Sequence, residues 1–464
     1  MKVLLVQQDM GRRTIKYPLY PIGLSYIAAA LSEHEVKIFD PNVYDYPDCF
    51  EKLRLEVKKF QPDIAGISIR NIDTTQRRDM FVQFKTVRPT LAAIKQVLPD
   101  IKIMAGGTGF SIFAPTIMER LPEINYGVYL EGEETVTELL DNLDTPEKIK
   151  GLYYRKNDEV CFTGPRPLPD FASLPLPRRD PAIIDIRNYR GPLHNIIGVQ
   201  SKRGCVFKCS YCSYLFLNER GLRLRKAEHV VDEVEQLVTT YGIKGFTFVD
   251  SVFNVPEKHA VDICTELIKR KVQVEWGAWI SPKGATEELL FLMRDAGCRH
   301  IGFSPDAVSD QGLKTLSKGF TIKDVRNSLR IMRKVKGIAV GYNFFCAYPG
   351  MTLSDAFKTL FMLFKIPLLM PGRGGVGLGW IRLEPHNQLY ETALKEKIIS
   401  SETNMLPENE QELAELFYVP KHQLHITLLF DTVLFTVEKI LKPAVKYVFH
   451  LVGKIKGKKS LYDS

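Results

Sequence analysis

Cys205-Val-Phe-Lys-Cys209-Ser-Tyr-Cys212 packs three of the chain's eight cysteines into eight residues. Three thiolates on one short loop can hold three irons of a 4Fe–4S cube, which leaves the fourth iron open to a small molecule. A complete structural zinc or iron–sulfur site normally takes four protein ligands. Two other readings compete: a zinc site completed by a distant side chain, and three cysteines that meet by chance. The remaining cysteines, Cys49, Cys161, Cys264, Cys298 and Cys346, are scattered along the chain. The last three fall in strand or helix patterns and are expected not to be ligands.

Outward from this loop, apolar runs at 196–200, 245–249, 274–279, 300–303, 339–345 and 376–381 alternate with helical patterns at 228–241, 258–269, 287–295, 322–335 and 353–363. In the first of these helices Val230, Val234, Leu237, Val238 and Tyr241 share one face, as packing on a sheet requires. Six strand–helix units predict an open, partial version of the (βα)8 TIM-like barrel over residues 191–395. Ligand chemistry in such barrels sits on the loops that follow the strands. The three-cysteine loop follows the first strand.

Further upstream, strand candidates at 3–6, 36–39, 64–69, 101–104 and 127–130 alternate with helical segments such as 22–31 and 133–143. This α/β pattern predicts a parallel sheet covered on both faces, a doubly wound, flavodoxin-like (Rossmann-type) domain over residues 1–145. Such domains bind ligands beyond the carboxyl ends of their strands. Between the two domains, Pro165, Pro167, Pro169, Pro175, Pro177 and Pro181 rule out regular helix. Residues 146–190 are therefore expected to be an extended linker lying over a domain surface.

Hydrophobic residues make up 45% of the 464 residues and charged residues 25%, an ordinary globular balance. The formal net charge of +9 suits an anionic ligand, but it is spread too thinly to argue for nucleic acid. Met1-Lys2 runs straight into the strand-like Val3-Leu4-Leu5-Val6 with no signal-peptide pattern. A reducing, cytoplasmic setting is expected, in which clustered cysteines serve as metal ligands rather than disulfides. No apolar run reaches the ~18–20 residues needed to span a bilayer.

The C-x3-C-x2-C loop after the first strand of a six-unit barrel, with Tyr211 before its last cysteine, resembles the signature of the radical S-adenosylmethionine superfamily. The resemblance implies that Cys205, Cys209 and Cys212 hold the cluster while its open iron chelates S-adenosylmethionine. Downstream segments are similar to the family's later units. They are Phe248-Val-Asp250-Ser251-Val-Phe253-Asn254, Glu275-Trp276-Gly-Ala-Trp279, Ala296-Gly297-Cys298, Gly302-Phe303-Ser-Pro-Asp306, Tyr348-Pro349-Gly350-Met-Thr352 and Ile381-Arg382-Leu383-Glu384-Pro385. Ser251 stands where the family usually carries a second acidic residue. By this resemblance Tyr211, Asp250, Asn254, Asp306 and Arg382 are cofactor-binding candidates.

A flavodoxin-like domain ahead of this barrel resembles the cobalamin-dependent methyltransferases of the superfamily (its class B). Tyr20-Pro21-Ile22-Gly23-Leu24, Gly106-Gly107-Thr108 and Glu131-Gly132-Glu133-Glu134-Thr135 carry that likeness. Gly106, Gly107, Thr108, Glu131 and Gly132 are the implied corrin-binding positions, with glycines admitting the corrin's nucleotide tail. The D-x-H-x-x-G motif that supplies a cobalt-ligating histidine in many cobalamin proteins is missing. The domain's one histidine, His34, falls on the wrong side of the sheet. Arg70-Asn71-Ile72-Asp73 follows the third strand instead. Arg70 can sit beneath cobalt without coordinating it, because a guanidinium stays protonated. Asn71 and Asp73 would face the corrin beside it; the plainer reading is an Arg70–Asp73 surface pair.

The resemblance spans about residues 1–395 and implies a radical C-methyltransferase. It would move a methyl group from S-adenosylmethionine through cobalamin to an unactivated carbon of a small molecule, such as a secondary metabolite, lipid or cofactor precursor. A flavodoxin or ferredoxin would supply electrons. The alternatives are a relative that uses both cofactors for ring closure or rearrangement, and an iron–sulfur redox sensor. Residues 396–464 are expected to be helical, with an apolar stretch at 424–437 and then Lys439, Lys442, Lys446, Lys454, Lys456, Lys458 and Lys459. A basic amphipathic end can rest on an anionic membrane surface; the plainer reading is a capping helix with a solvated tail.

Overall fold

The computed structural model describes residues 1–8, 17–189, 196–219 and 221–436. The lysines from Lys439 to Lys459 lie outside the described residues. The first sheet contains β1 (Lys2–Gln7), β2 (Glu35–Phe39), β3 (Ile64–Ser68), β4 (Lys102–Gly106) and β5 (Tyr126–Val128). These five are parallel in the order β2-β1-β3-β4-β5, the flavodoxin-like arrangement. Val3 and Leu5 point to one face of β1, Leu4 and Val6 to the other, and all four are buried. A parallel strand is covered on both faces, so it reads as an unbroken apolar run.

Two further strands, β6 (Leu152–Lys156) and β7 (Glu159–Phe162), continue this sheet antiparallel beyond β5. Residues 152–162 therefore belong to the first sheet, not to an extended linker. Asn157 and Asp158 both have positive φ, the two-residue turn that matches strand twist. That Asn-Asp pair was the missed signal. From 163 to 180 the chain runs without strand or helix, as the prolines require.

The second sheet carries β8 (Gly198–Val199), and a short antiparallel hairpin follows, β9 (Lys202–Cys205) with β10 (Gly221–Leu224). The sheet continues with β11 (Gly245–Phe248), β12 (Glu275–Trp279), β13 (Cys298–Asp306), β14 (Ala339–Phe345) and β15 (Gly374–Gly379). All six strands are parallel in the order β15-β14-β13-β12-β11-β8, an open partial barrel. Helices Ala227–Thr239, Glu257–Lys269, Glu287–Asp295, Ile322–Lys334 and Leu353–Leu369 separate the strands. The last runs past the expected end at 363 and through Pro367. A proline there removes a hydrogen bond only in the final turn, where little helix remains to break.

One apolar core includes Val3 and Leu5 of the first sheet together with Val199, Phe246, Trp276 and Tyr342 of the second. The two sheets thus share buried surface. Beyond the barrel, helix Leu424–Thr436 follows a short helix at Glu410–Glu415. No helix among the described residues is long and apolar enough to cross a membrane.

Candidate active site between the two sheets

The carboxyl ends of both parallel sheets open on one cleft of about 1150 Å³. From the first domain it takes Arg70, Asn71, Asp73 and Thr108; from the barrel, Tyr211, Cys212, Asp306 and Arg382. A smaller cavity of about 270 Å³ continues into the first domain past Gly106, Gly107, Thr108, Glu131 and Gly132. Thr108, Tyr214 and Leu217 line both.

The wall of the smaller cavity requires glycine where two turns pack together. Gly107 has φ +102°, and a Cβ there would stand 2.7 Å from the Ile69 carbonyl oxygen. The turn after β4 is clipped to the turn after β3: Gly109 N–H donates to Arg70 O at 2.9 Å, and Thr108 Oγ to the same oxygen at 2.7 Å. Arg70 is thereby fixed by its backbone while its side chain stands in the cleft. The protein crowded around the guanidinium lowers its pKa, with Tyr214 opposing that shift, while the side chain stays open to the cleft. Its place in the cleft sets aside the surface pair, because Asp73 bonds elsewhere.

The cysteine loop is held from several directions. Cys205 ends β9, Ser210 N–H donates to Leu316 O at 3.0 Å, and Leu389 N–H donates to Ser210 O at 2.7 Å. Asn387 Nδ2 donates to Tyr211 O at 3.1 Å. Gly204, just before Cys205, has φ +92° and a Cβ there would collide with the backbone of Gly221, so the hairpin needs glycine. Cys205, Cys209 and Cys212 are free and partly exposed. Burial pushes Cys212 up to about 12, and Cys209 and Cys205 add to the rise. Three crowded thiolates need a compensating positive charge, which bound iron would supply.

Among the described residues, no three His, Cys, Asp or Glu side chains close around a single ion. Three thiols on one loop suit a polynuclear cluster, in which each thiolate meets its own iron. Cys264, Cys298 and Cys346 lie in the cores, where burial raises their pKa values.

Tyr211 and Asp306 meet: the Tyr211 hydroxyl donates to Asp306 at 2.5 Å. Lys318, which no sequence motif marked, joins them at 2.5 Å from Asp306 and 3.0 Å from Tyr211 Oη. Burial pushes the Asp306 carboxyl up, and Lys318 opposes that shift. Burial alone would lower Lys318, but Asp306 and the nearby thiol of Cys209 raise it. Asp306 has φ +68° at an irregularity between β13 and β14, which turns its side chain out of the strand register. Glu384 also lines the cleft and accepts from Ser213 Oγ at 2.6 Å.

Five residues expected to meet cofactors have other partners. Asp250 is buried and accepts from Ser201 N–H at 2.8 Å and Ser201 Oγ at 2.5 Å, lining neither cavity. Asn254 bonds Ser281 N–H and O at 2.8 and 3.0 Å. Asp250 braces the strand that leads to the cysteine loop, and Asn254 braces the turn after β12. Asp73 and Arg382 reach the cleft wall but pair with each other at 3.0 Å, across the domain boundary. Glu131 lines the smaller cavity, yet bridges to Arg203 at 2.8 Å and to Arg223. Burial would raise its carboxyl, but these arginines hold it below the usual carboxylate range.

The B12 binding domain family matches residues 10–140, and the Radical SAM superfamily matches residues 199–363. The chain is 28% identical over 368 residues to an uncharacterized methyltransferase of Pyrococcus horikoshii, covering 78% of this chain and 77% of that protein. It is also 28% identical over 334 residues to the anaerobic magnesium-protoporphyrin IX monomethyl ester cyclase of Cereibacter sphaeroides, covering 68% of this chain and 51% of the cyclase. The chain thus spans about half the length of that relative. In fold it is similar to TsrM, a radical S-adenosylmethionine methyltransferase of Kitasatospora setae solved with tryptophan and an S-adenosylmethionine analogue. The TM-score is 0.74 at 22% identity, covering 86% of this chain and 77% of that one. A second structure of TsrM, with cobalamin and a 4Fe–4S cluster bound, gives a TM-score of 0.72 at 22% identity, covering 87% and 79%. The chain thus carries a B12 binding domain followed by a Radical SAM domain, with one cleft between them, and shares this arrangement with the fold of TsrM.

Proposed function

We propose that this chain transfers a methyl group from S-adenosylmethionine, by way of cobalamin, to an unactivated carbon of a small molecule. The observation that carries the proposal is the shared cleft: Arg70 of the first domain and Tyr211, Cys212 and Asp306 of the barrel line one space. In bound form the cluster supplies an electron, S-adenosylmethionine the methyl group, and cobalamin its carriage to the acceptor.

The chain's own share is placement. Cys205, Cys209 and Cys212 would hold the cluster. Lys318 and Asp306 fix the Tyr211 ring beside it, which orients whatever binds the open iron. Gly106, Gly107 and Gly132 line a channel that suits the nucleotide tail of a corrin. Arg70 presents a cation that cannot act as a metal ligand, so the cobalt face above it would stay free of a strong donor. Val206 and Lys208 are exposed at the tip of the cysteine loop, which suits an acidic electron donor of the ferredoxin or flavodoxin class. A reducing, cytoplasmic setting agrees with eight free cysteines.

The likeness to a cyclase keeps ring closure as a second reading. Anaerobic incubation of cofactor-loaded enzyme with S-adenosylmethionine, a reductant and candidate acceptors separates the two. S-adenosylhomocysteine formed in step with a 14-Da product gain is expected. 5′-Deoxyadenosine without S-adenosylhomocysteine would replace methylation with the cyclase reading.

A further inference from the structure

Among the described residues, two neighbouring helices leave an apolar face uncovered. On Leu353–Leu369, Phe357, Phe361, Phe364 and Leu368 are 60%, 59%, 55% and 78% exposed, at positions that fall on one side of the helix. On Leu424–Thr436, Leu424, Leu428 and Phe435 are exposed at the same spacing. Together with Leu353 they make up eight of the seventeen large hydrophobic side chains exposed among the described residues. Single exposed hydrophobics are normal, but a contiguous apolar face marks an interaction surface. The one acid along the second strip, Asp431, is neutralised by Arg77 at 2.9 Å.

This face borders the active cleft. Leu363, Phe364 and Pro367 of the first helix and Leu434 of the second line it. The charge around the face is basic: Lys358 and Lys365 stand on the first helix and Lys421 just ahead of the second. The sequence after the second helix, residues 437–464, holds seven lysines against two acids, Glu438 and Asp463. Apolar side chains ringed by cations complement one surface, the headgroup layer of an anionic bilayer.

We propose that these two helices dock the enzyme on an anionic membrane surface, with the mouth of the cleft against the lipid. Phenylalanines enter the acyl boundary while lysines meet the headgroups. The inference uses the cleft of the methyl-transfer proposal, but the docking itself is tested without catalysis.

The test is co-sedimentation of the full-length protein with phosphatidylcholine vesicles, with and without phosphatidylglycerol. Wild type should pellet with the anionic vesicles and release as salt rises. Phe357→Ser/Phe361→Ser should lower partitioning roughly a hundredfold, since two buried rings are lost. Lys358→Glu/Lys365→Glu/Lys421→Glu should lower it more than tenfold by the loss of about one cation's attraction per lysine. Neither set touches the described cleft, so iron and corrin content serve as controls for folding. No pelleting by wild type would overturn the proposal. So would pelleting that survives the phenylalanine changes, because the face would then be idle. A dimer in solution that the phenylalanine changes dissolve would assign the face to a second copy instead.

Discussion

Arg382→Met tests how much the domain junction depends on one buried ion pair. The side chains of Arg382 and Asp73 are 3% and 2% exposed, and their charged atoms lie 3.0 Å apart. Arg382 also donates to the carbonyl of Met405 at 2.9 Å and to that of Leu383. Removing it leaves a buried carboxylate with no cation and two carbonyls short of a donor. Breaking a buried pair from one side costs about 3–5 kcal/mol, roughly 6–20 °C in the midpoint of a domain this size. Arg187→Met is the internal comparison. Its pair with Asp185, at 2.8 Å, has side chains 69% and 33% exposed, and exposed pairs contribute about 0–1 kcal/mol. The assay is differential scanning calorimetry of the apo protein, read on its first transition. Asp73→Leu added to Arg382→Met should recover at least half the loss, because both desolvated charges are then gone. If Arg382→Met moves the midpoint no more than Arg187→Met, the junction rests on apolar contact and the reasoning fails.

Gly107→Val should express but retain little corrin, because its Cβ would stand 2.7 Å from Ile69 O; full cobalamin absorbance per chain would remove this cradle from the site. Lys318→Met should keep its iron but turn over S-adenosylmethionine at least ~10-fold more slowly, since Asp306 and Tyr211 lose the charge that fixes them; unchanged kcat and KM would make Lys318 structural only. Arg70→His should suppress methyl transfer more than Arg70→Lys with corrin content unchanged in both; equal turnover by both and wild type would end the role proposed for this side chain. His259 is held at about 4 by burial, with Lys202 adding to the effect. The unfolded chain therefore binds one proton more between pH 6.5 and 4, so stability falls as pH drops through that window and levels off below it. After allowance for its partial hydration the loss is about 2 kcal/mol; apo His259→Gln should lack it, and an identical pH profile for variant and wild type would refute the assignment.

Local periodicity carried much of this molecule into view before any coordinates. β1 is an unbroken apolar run because it is covered on both faces, and helix Ala227–Thr239 repeats its apolar residues every three or four positions because one face meets the sheet. Cys205, Cys209 and Cys212 share one loop, so their chemistry is written in eight consecutive residues. The Asn157-Asp158 turn was legible too, but the surrounding prolines masked it.

Partnerships between distant residues were not legible. Arg382 and Asp73 stand 309 positions apart, and Arg203 and Glu131 72 apart. Which charges become desolvated together depends on how the two sheets meet, and a linear pattern holds no record of that. The same packing joined Lys318 to Asp306, although no motif surrounds it. It also turned Asp250 toward the backbone of Ser201 and Asn254 toward that of Ser281, where burial commits their polar atoms to hydrogen bonds. Sequence alone settled the alternating strands and helices of the two parallel sheets and which loop carries the thiols, because those depend on neighbours in the chain. Tertiary structure alone decided which side chains face the cleft, because that depends on neighbours in space.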